Sequence, residues 1–327
     1  MSTAIHFDRV TKIYQNRQVA LADVSFEVPK GATVGLLGAN GSGKSTAIRI
    51  SMGLIEPSAG EVSVLDCPMH QGAREGRQQI GFMSDDPSFP KDFTAISYLR
   101  FVGKCFGLGK TELNARLGTL LRAVGLFDDA GRKIAGFSTG MKTRLGIAAS
   151  LMNDPELIIW DEPTAGLDPI SRRQTLELLE VYKGRKTVVL SSHILGDIDR
   201  VCDRLLILNQ GQLLFEGPRS KLENLLPESI LELRVEGDVK AFRVAVLEKL
   251  GKKDLSQDGG RVRIEMHSED SVGFVVQQLL NIAASINARI EAINSTGRRL
   301  EDAYLQLITE DEFQGFLRAG NQQSEVN

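Results

Sequence analysis

The sequence has little cysteine, few aromatics and no long apolar run, and each shortage excludes something. Its three cysteines, Cys67, Cys105 and Cys202, lie far apart with no C-x-x-C and no adjoining histidine. They form neither a zinc set nor a disulfide framework, and a reducing compartment is expected. No apolar stretch approaches the roughly 20 residues that a membrane helix needs. The first residues, MSTAIHFDRV, carry neither a basic flank nor an apolar core, so no secretory leader is expected. Neither charge dominates: 39 basic against 42 acidic residues give a net charge of −3. That balance leaves no broad electropositive face, and no nucleic-acid partner is expected. Internal repeats and low-complexity tracts are missing too.

What is present is an ordinary globular composition, 42% apolar and 25% charged, on a chain of 327 residues. That length suits one larger core plus one smaller. Ile5 to Val10 and Val19 to Val28 read as strands, followed by a turn at Pro29-Lys30-Gly31. Thr33 to Leu37 is a short apolar run with the look of a buried strand. From about 92 to 150 the period becomes helical, with Leu113, Leu117, Leu120, Leu121 and Val124 on one face. Strand-like runs return at Leu157 to Trp160, Thr187 to Leu190 and Leu205 to Leu208, alternating with helical stretches. That alternation predicts a largely parallel α/β sheet.

Gly217-Pro218-Arg219-Ser220 breaks the pattern. Beyond it Leu231, Leu233 and Val235 alternate with charged residues, as do Val262, Ile264 and Met266, so each set predicts a half-buried strand. Phe242, Val246 and Leu250 predict one helix face; Val272, Val275, Val276 and Leu279 predict a second. A further strand is expected near Arg289 to Ile293. The order is that of a small α+β domain of ferredoxin-like type. The expected boundaries are 1–220 for the first domain, 228–310 for the second, and 311–327 for a polar, flexible tail.

Chemistry is concentrated in the first domain. Gly38-Ala39-Asn40-Gly41-Ser42-Gly43-Lys44-Ser45 fits G-x-x-x-x-G-K-[ST], with a strand before it and a helix opening at Thr46. Glycines let the chain wrap until successive N–H groups and the helix N-terminus point at a triphosphate. Lys44 supplies a point charge at the β/γ oxygens, and the Ser45 hydroxyl is placed to ligate Mg²⁺. The run Leu157-Ile158-Ile159-Trp160 ends in Asp161 and Glu162, where open α/β sheets place their ligands. Asp161 suits the Mg²⁺ shell and Glu162 suits a general base for an attacking water. A nucleoside triphosphate, ATP, with Mg²⁺ is the expected ligand.

Phe137 to Asp168, FSTGMKTRLGIAASLMNDPELIIWDEPTAGLD, resembles the signature, Walker-B strand and D-loop of the ABC ATPases. The family's L-S-G-G-Q reads F-S-T-G-M here, a form similar to that of drug-, antibiotic- and polysaccharide-export ATPases. The resemblance implies a P-loop ABC ATPase core with a parallel sheet plus antiparallel β and helical subdomains. It also implies that the Ser138–Gly140 turn closes on the ATP of a second copy, in a head-to-tail dimer. Tyr14 then matches the adenine-stacking aromatic and Asp168 the D-loop residue that touches the opposite copy. His193, in Ser191-Ser192-His193, matches the histidine that holds the γ-phosphate and the attacking water. Asp85 stands where the family's Q-loop usually has glutamine, so a metal-binding role there rests on a shorter, charged side chain.

Within the family two classes remain open. One is the motor subunit of an exporter, peripheral on the cytoplasmic face through a separate transmembrane permease. The other is a soluble ABC ATPase acting on ribosomes, nucleic acid or protein assembly. Lys44 and Ser138 are only 94 residues apart with no heptads between them, unlike chromosome-type members. The chain carries one cassette, unlike the ribosome type. Leu300-Glu301-Asp302-Ala303-Tyr304-Leu305 resembles the segment that closes many drug-export ATPases, and the exporter reading is the one expected.

Overall fold

The computed structural model describes residues 2–15, 17–70, 73–224, 229–251, 261–266, 272–297 and 300–311. The chain divides into two compact units, Met1–Pro218 and Arg219–Asn327.

The first unit opens with the long strands β1 (Thr3–Ile13) and β2 (Val19–Pro29), then β3 (Thr33–Leu37) and α1 (Lys44–Ser51). Next come β4 (Ala59–Val64), the short β5 (Cys67–Pro68), α2 (Arg74–Gln78) and β6 (Ile80–Met83). A helical region holds α3 (Ala95–Cys105), α4 (Lys110–Ala123) and α5 (Thr139–Ser150). The unit closes with β7 (Leu157–Asp161), α6 (Pro169–Tyr182), β8 (Thr187–Ser192), α7 (Leu195–Val201), β9 (Arg204–Asn209) and β10 (Gln212–Pro218).

Among the described residues this unit has two sheets. One is antiparallel, in the order β2-β1-β4-β5; the other runs β10-β9-β3-β8-β7-β6, parallel except for the edge strand β10. Every residue of β3, β7 and β8 is buried. Continuous burial, rather than alternation, is the mark of strands covered on both faces. One face meets α1 and the antiparallel sheet in a cluster that includes Phe7, Phe26, Ile48, Ile159 and Val189. Phe7 and Phe26 stack at 4.3 Å across β1 and β2. The single tryptophan, Trp160, is fully enclosed, and its indole N–H donates to Ser150 Oγ at 2.9 Å. On α4 the expected face is buried at Leu113, Leu117, Leu120 and Leu121, with Val124 just past the helix end.

Sheet order places the site. Four neighbouring parallel strands, β3, β8, β7 and β6, end at one edge, with Leu37 beside Ser192, Asp161 beside Ser191, and Met83 beside Trp160. The glycine-rich loop, His193, Glu162 and Asp85 each follow one of these ends, so residues more than 150 positions apart share one rim.

The second unit begins with α8 (Arg219–Glu223) and continues with β11 (Ser229–Glu236), α9 (Val239–Leu250), β12 (Arg261–Met266), α10 (Val272–Ser285) and β13 (Arg289–Gly297). A further helix, α11, covers 300–311 and carries the Leu300–Leu305 segment, with Leu300 and Ala303 buried. Among the described residues the sheet has three antiparallel strands in the order β12-β11-β13. A complete ferredoxin-like sheet has four; residues 252–260, between α9 and β12, lie outside the described residues. Leu231, Leu233, Val235, Val262, Ile264, Phe242, Val275 and Leu279 form its core. Val272, expected on the buried face of α10, is exposed, because it is the first residue of that helix. On the other side of the sheet Arg263 pairs with Glu232, and Arg234 with Glu291. Of the expected tail, residues 312–327 lie outside the described residues.

Candidate functional site

The Gly38–Ser45 loop bends through left-handed backbone at Gly38, Gly41 and Gly43 (φ 152°, 82° and 110°). At Gly43 a Cβ would also lie 2.6 Å from Ala20 O and 2.7 Å from Leu21 Cδ2, so glycine is required by both φ and space. Gly43 is the N-cap of α1 and contributes no side-chain cap, and the first turn carries no acidic residue. The first N–H groups of α1 are therefore left for whatever enters the cleft above them, which favours an anion.

That cleft, of about 200 Å³, is lined by Asn40, Gly41, Ser42, Gly43, Lys44, Ser45 and Thr46, with Tyr14 on one side and Asp85 and Glu162 on the other. Gly38 enters through its carbonyl, which accepts from Lys44 Nζ at 2.7 Å, with Ala39 O at 3.3 Å. Lys44 is buried, and its ammonium lies 3.8 Å from Glu162 Oε1. A positive charge held among carbonyls at the head of a helix N-terminus is suited to phosphate oxygens. Tyr14 is half-buried, with its hydroxyl 3.4 Å from Thr46 Oγ1 and the Lys12 ammonium 5.5 Å from its ring centroid. Ala39 of the loop also lines the cleft, as do Gln18 and Ala20, which the sequence does not single out. The signal for Gln18 was the β1–β2 hairpin, whose turn brings Tyr14 N to Gln18 O at 3.0 Å.

At the end of β7, Ser191 joins both acids. Its Oγ accepts the Glu162 N–H at 2.8 Å and donates to Asp161 Oδ1 in a short hydrogen bond. Burial pushes the Asp161 carboxyl above its ordinary value; hydrogen bonds from Ser191 and Ser45 oppose this, and the charges of Asp85 and Glu162 add to it. Glu162 itself sits in left-handed backbone, φ 48°, an arrangement that costs a non-glycine residue about 1 kcal/mol or more and aims its carboxylate back toward Lys44. His193 Nδ1 lies 2.7 Å from Glu162 Oε2. A carboxylate only accepts, so Nδ1 carries the proton and Nε2 is the other hydrogen-bonding atom of a ring that is half-exposed.

Asp85, Asp161 and the Ser45 hydroxyl present only oxygen, the donor chemistry of a hard divalent cation. Asp161 is a buried carboxylate whose ionised form is disfavoured until a positive charge arrives, so these residues fit Mg²⁺. Among the described residues no three His, Cys, Asp or Glu side chains converge as a metal cage. Mg²⁺ ordinarily takes one or two carboxylates and completes its shell with water and substrate phosphates.

Ser138, Gly140 and Asp168 stand apart from the residues that line the cleft. Ser138 is the N-cap of α5, its Oγ accepting from Met141 N at 3.2 Å. Asp168 is the N-cap of α6, accepting from Ile170 N and Ser171 N at 3.0 Å each and from Ser171 Oγ at 2.7 Å. The hydrogen bonds from Ser171 hold its carboxyl below the usual range.

A nucleotide cleft over a strand–loop–helix, with two acids and a histidine on neighbouring strand ends, defines a P-loop ATPase. The ABC transporter family model matches residues 21–165. The chain is 34% identical to the ABC transporter ATP-binding protein sll0415 of Synechocystis sp., over 92% of this chain and 83% of that one. It is 33% identical to the linearmycin resistance ATP-binding protein LnrL of Bacillus subtilis, over 92% of this chain and 96% of that one. It is 38% identical to the Nod factor export ATP-binding protein I of Neorhizobium galegae, over 70% and 67%. Among solved structures, an ATP-binding subunit of an ABC transporter superposes with a TM-score of 0.64 at 32% identity, covering 68% of this chain and 93% of that one. A bacterial ABC transporter cassette solved as a dimer gives 0.61 at 26% identity, covering 65% and 98%. The chain belongs to the ABC transporter ATP-binding proteins. It is an ATPase that binds and hydrolyses ATP, and its partner class is a transporter assembly. Among the described residues no helix is long and apolar enough to cross a membrane.

Proposed function

We propose that the chain is the motor of an exporter, working as a head-to-tail pair of copies on the cytoplasmic face beneath a separate transmembrane permease. The observation that carries this is the split in the motif set: Lys44 and Glu162 face the cleft, whereas Ser138, Gly140 and Asp168 of the same chain do not line it. A second copy, turned end for end, supplies them. Export comes to this chain from the names of its relatives, one for linearmycin resistance and another for Nod factor export. The division into a catalytic 1–220 and an accessory 228–310 is part of the same reading.

In this mechanism Lys44 and the α1 N-terminus bind the β and γ phosphates, Tyr14 receives the adenine, and Thr46 lines the floor. Glu162 Oε2 takes a proton from water as the water oxygen bonds to γ-phosphorus and the bond to the bridging oxygen of ADP breaks. His193 Nδ1–H holds Glu162 in place, and Ser191 fixes its backbone. Asp161, Ser45 and Asp85 would hold Mg²⁺, which when bound neutralises phosphate charge. The segment 85–106 carries the movement to the permease. There Phe101 is exposed and stacks on the half-buried Phe93 at 6.1 Å, and the half-buried Tyr98 lies edge-on to Phe89 at 5.0 Å, an aromatic patch suited to an amphipathic helix.

Glu162→Gln tests the reading. ATP binding is expected to persist, turnover to fall about a hundredfold to ten-thousandfold, and a dimer to accumulate that is seen by size-exclusion chromatography with ATP. A variant that turns over normally would remove the base assignment. In gently solubilised membranes the tagged chain is expected to co-purify with an integral membrane protein; a wholly partner-free pool overturns the permease.

A further inference from the structure

One ion pair with a buried carboxylate lies outside every role described so far. Asp197, on α7, is 1% exposed. Its Oδ2 accepts from Thr164 Oγ1 at 2.6 Å, and its Oδ1 accepts from Arg172 Nε at 2.7 Å and pairs with Arg172 Nη2 at 2.7 Å. Thr164 is also buried and stands two residues after Glu162; Arg172 stands on α6, the helix that Asp168 caps. A carboxylate carried into the interior is costly unless it is fully partnered, and here both oxygens are. Such a group specifies an arrangement more than it adds stability.

The arrangement it specifies involves two segments, 161–164 and 191–197, which touch at three levels. At one end Ser191 Oγ joins Asp161 and Glu162 N. In the middle His193 meets Glu162. At the far end Asp197 meets Thr164. The catalytic contact is thus bracketed, with a hydroxyl–carboxylate bond on either side. The backbone between the brackets includes the left-handed Glu162, a conformation that persists only where its surroundings over-determine it. Ser191 fixes one end of that strained turn. The Thr164–Asp197 bond fixes the other, and Arg172 ties Asp197 to α6.

We infer that Asp197 and Thr164 are positioning residues for hydrolysis: their hydrogen bond sets the distance between the Glu162 carboxylate and the His193 ring. Neither touches nucleotide. The inference rests on Glu162 being the base, and it extends that reading to residues with no other assigned part. Loss of the bond lets the 162–164 turn relax, so Glu162 and His193 meet less often in the reactive geometry. Rate falls while the cleft that binds ATP, built on the other side by α1 and β1, is unchanged.

Thr164→Val removes the hydroxyl and keeps the volume; Thr164→Ser keeps the hydroxyl and loses a methyl. Steady-state ATP hydrolysis is measured on the full chain for both, with Asp197→Asn and Glu162→Gln in the same series. The expected result is a kcat about tenfold lower for Thr164→Val with KM within about twofold, and recovery of most of the rate in Thr164→Ser, since small misplacements act on rate rather than binding. Asp197→Asn is expected to lower kcat at least as far and, unlike Thr164→Val, to lower the melting temperature, because Arg172, whose side chain is 36% exposed, loses its counter-charge. A merely structural role predicts the opposite order, with Ser worse than Val, and that order overturns the inference. So does a Thr164→Val enzyme with normal kcat while Glu162→Gln is inactive. If Glu162→Gln is itself active, the base assignment falls first and the series identifies that separately.

Discussion

Two helix N-termini in the first unit carry this protein's most recognisable motifs, and they are finished differently. At α1 the N-cap is Gly43, with no side chain to cap it and no acid in the first turn. At α5 the N-cap is Ser138, whose hydroxyl accepts from Met141 N. The first end opens into the cleft and the second does not line it. Orphan N–H groups must be satisfied somewhere. At α1 a ligand is the partner the geometry invites, whereas at α5 the chain has supplied its own cap. In the proposed pair of copies the same physics, an electropositive helix end, would serve once as a binding site and once as a lid.

The largest expected effect comes from emptying the first end of its charge. Lys44→Ala removes an ammonium that sits among the Gly38 and Ala39 carbonyls and 3.8 Å from Glu162. Hydrolysis is expected to fall by about a thousandfold or more, as for loss of a main electrostatic contact to transferring phosphate. Phosphate release over a range of ATP concentrations checks it. If activity survives, the α1 end is only a structural turn and the contrast with α5 collapses.

The contrast also explains how far the sequence could be read. The loop at 38–45 was legible because spacing and glycine content encode a local shape, and Gly43 shows why: its φ and the wall formed by Ala20 and Leu21 admit nothing else. The strand ends were legible for a related reason, since fully buried strands read as unbroken apolar runs, as Leu157 to Trp160 does. Legibility stopped where contacts join distant strands. Ser191 was visible only as a neighbour of His193; its bonds to Asp161 and Glu162 depend on β7 lying beside β8. Gln18 and Ala20 line the cleft because β2 folds back on β1. Nothing in the sequence marks Asp197, and only its burial against Thr164 and Arg172 distinguishes it. In the second unit the alternation of Leu231, Leu233 and Val235 gave the strand, but no periodicity places Val272 at the first turn of α10, outside the core.

A middle-sized effect separates the two roles available to the α5 end. Ser138→Ala removes the cap and is expected to destabilise the helix by about 1 kcal/mol. Hydrolysis is expected to fall about tenfold if the hydroxyl also meets a partner's phosphate. Ser138→Asp sharpens this, because aspartate caps as well as serine. Stability then returns, but a carboxylate now faces a triphosphate across the dimer and repels it, so hydrolysis stays low. The paired readouts are melting temperature and turnover against protein concentration. If aspartate restores both, Ser138 is a cap and nothing more.

The smallest effect is the one on the stability of the nucleotide-free protein at Asp161, where the cleft meets the core. Its carboxyl is raised above the ordinary value chiefly by burial, and the Asp85 and Glu162 charges push the same way. A carboxyl raised by folding favours the folded state while it is protonated, below the unfolded value near 4, and loses that contribution as pH rises through the raised value. At neutral pH the ionised group is therefore a cost to the nucleotide-free protein, offset in part by hydrogen bonds from Ser191 and Ser45. Asp161→Asn keeps the shape and an acceptor for Ser191 but carries no charge. The variant is expected to melt higher than the parent at pH 7 to 8 without nucleotide, with the gap closing as pH falls toward 4. Adding ATP and Mg²⁺ should reverse the order, since stabilisation by a ligand follows its affinity and the parent binds the cation better. A variant that melts lower at neutral pH would mean that the Ser191 and Ser45 bonds outweigh burial. Asp161 would then be held for the fold and not kept poised for a cation.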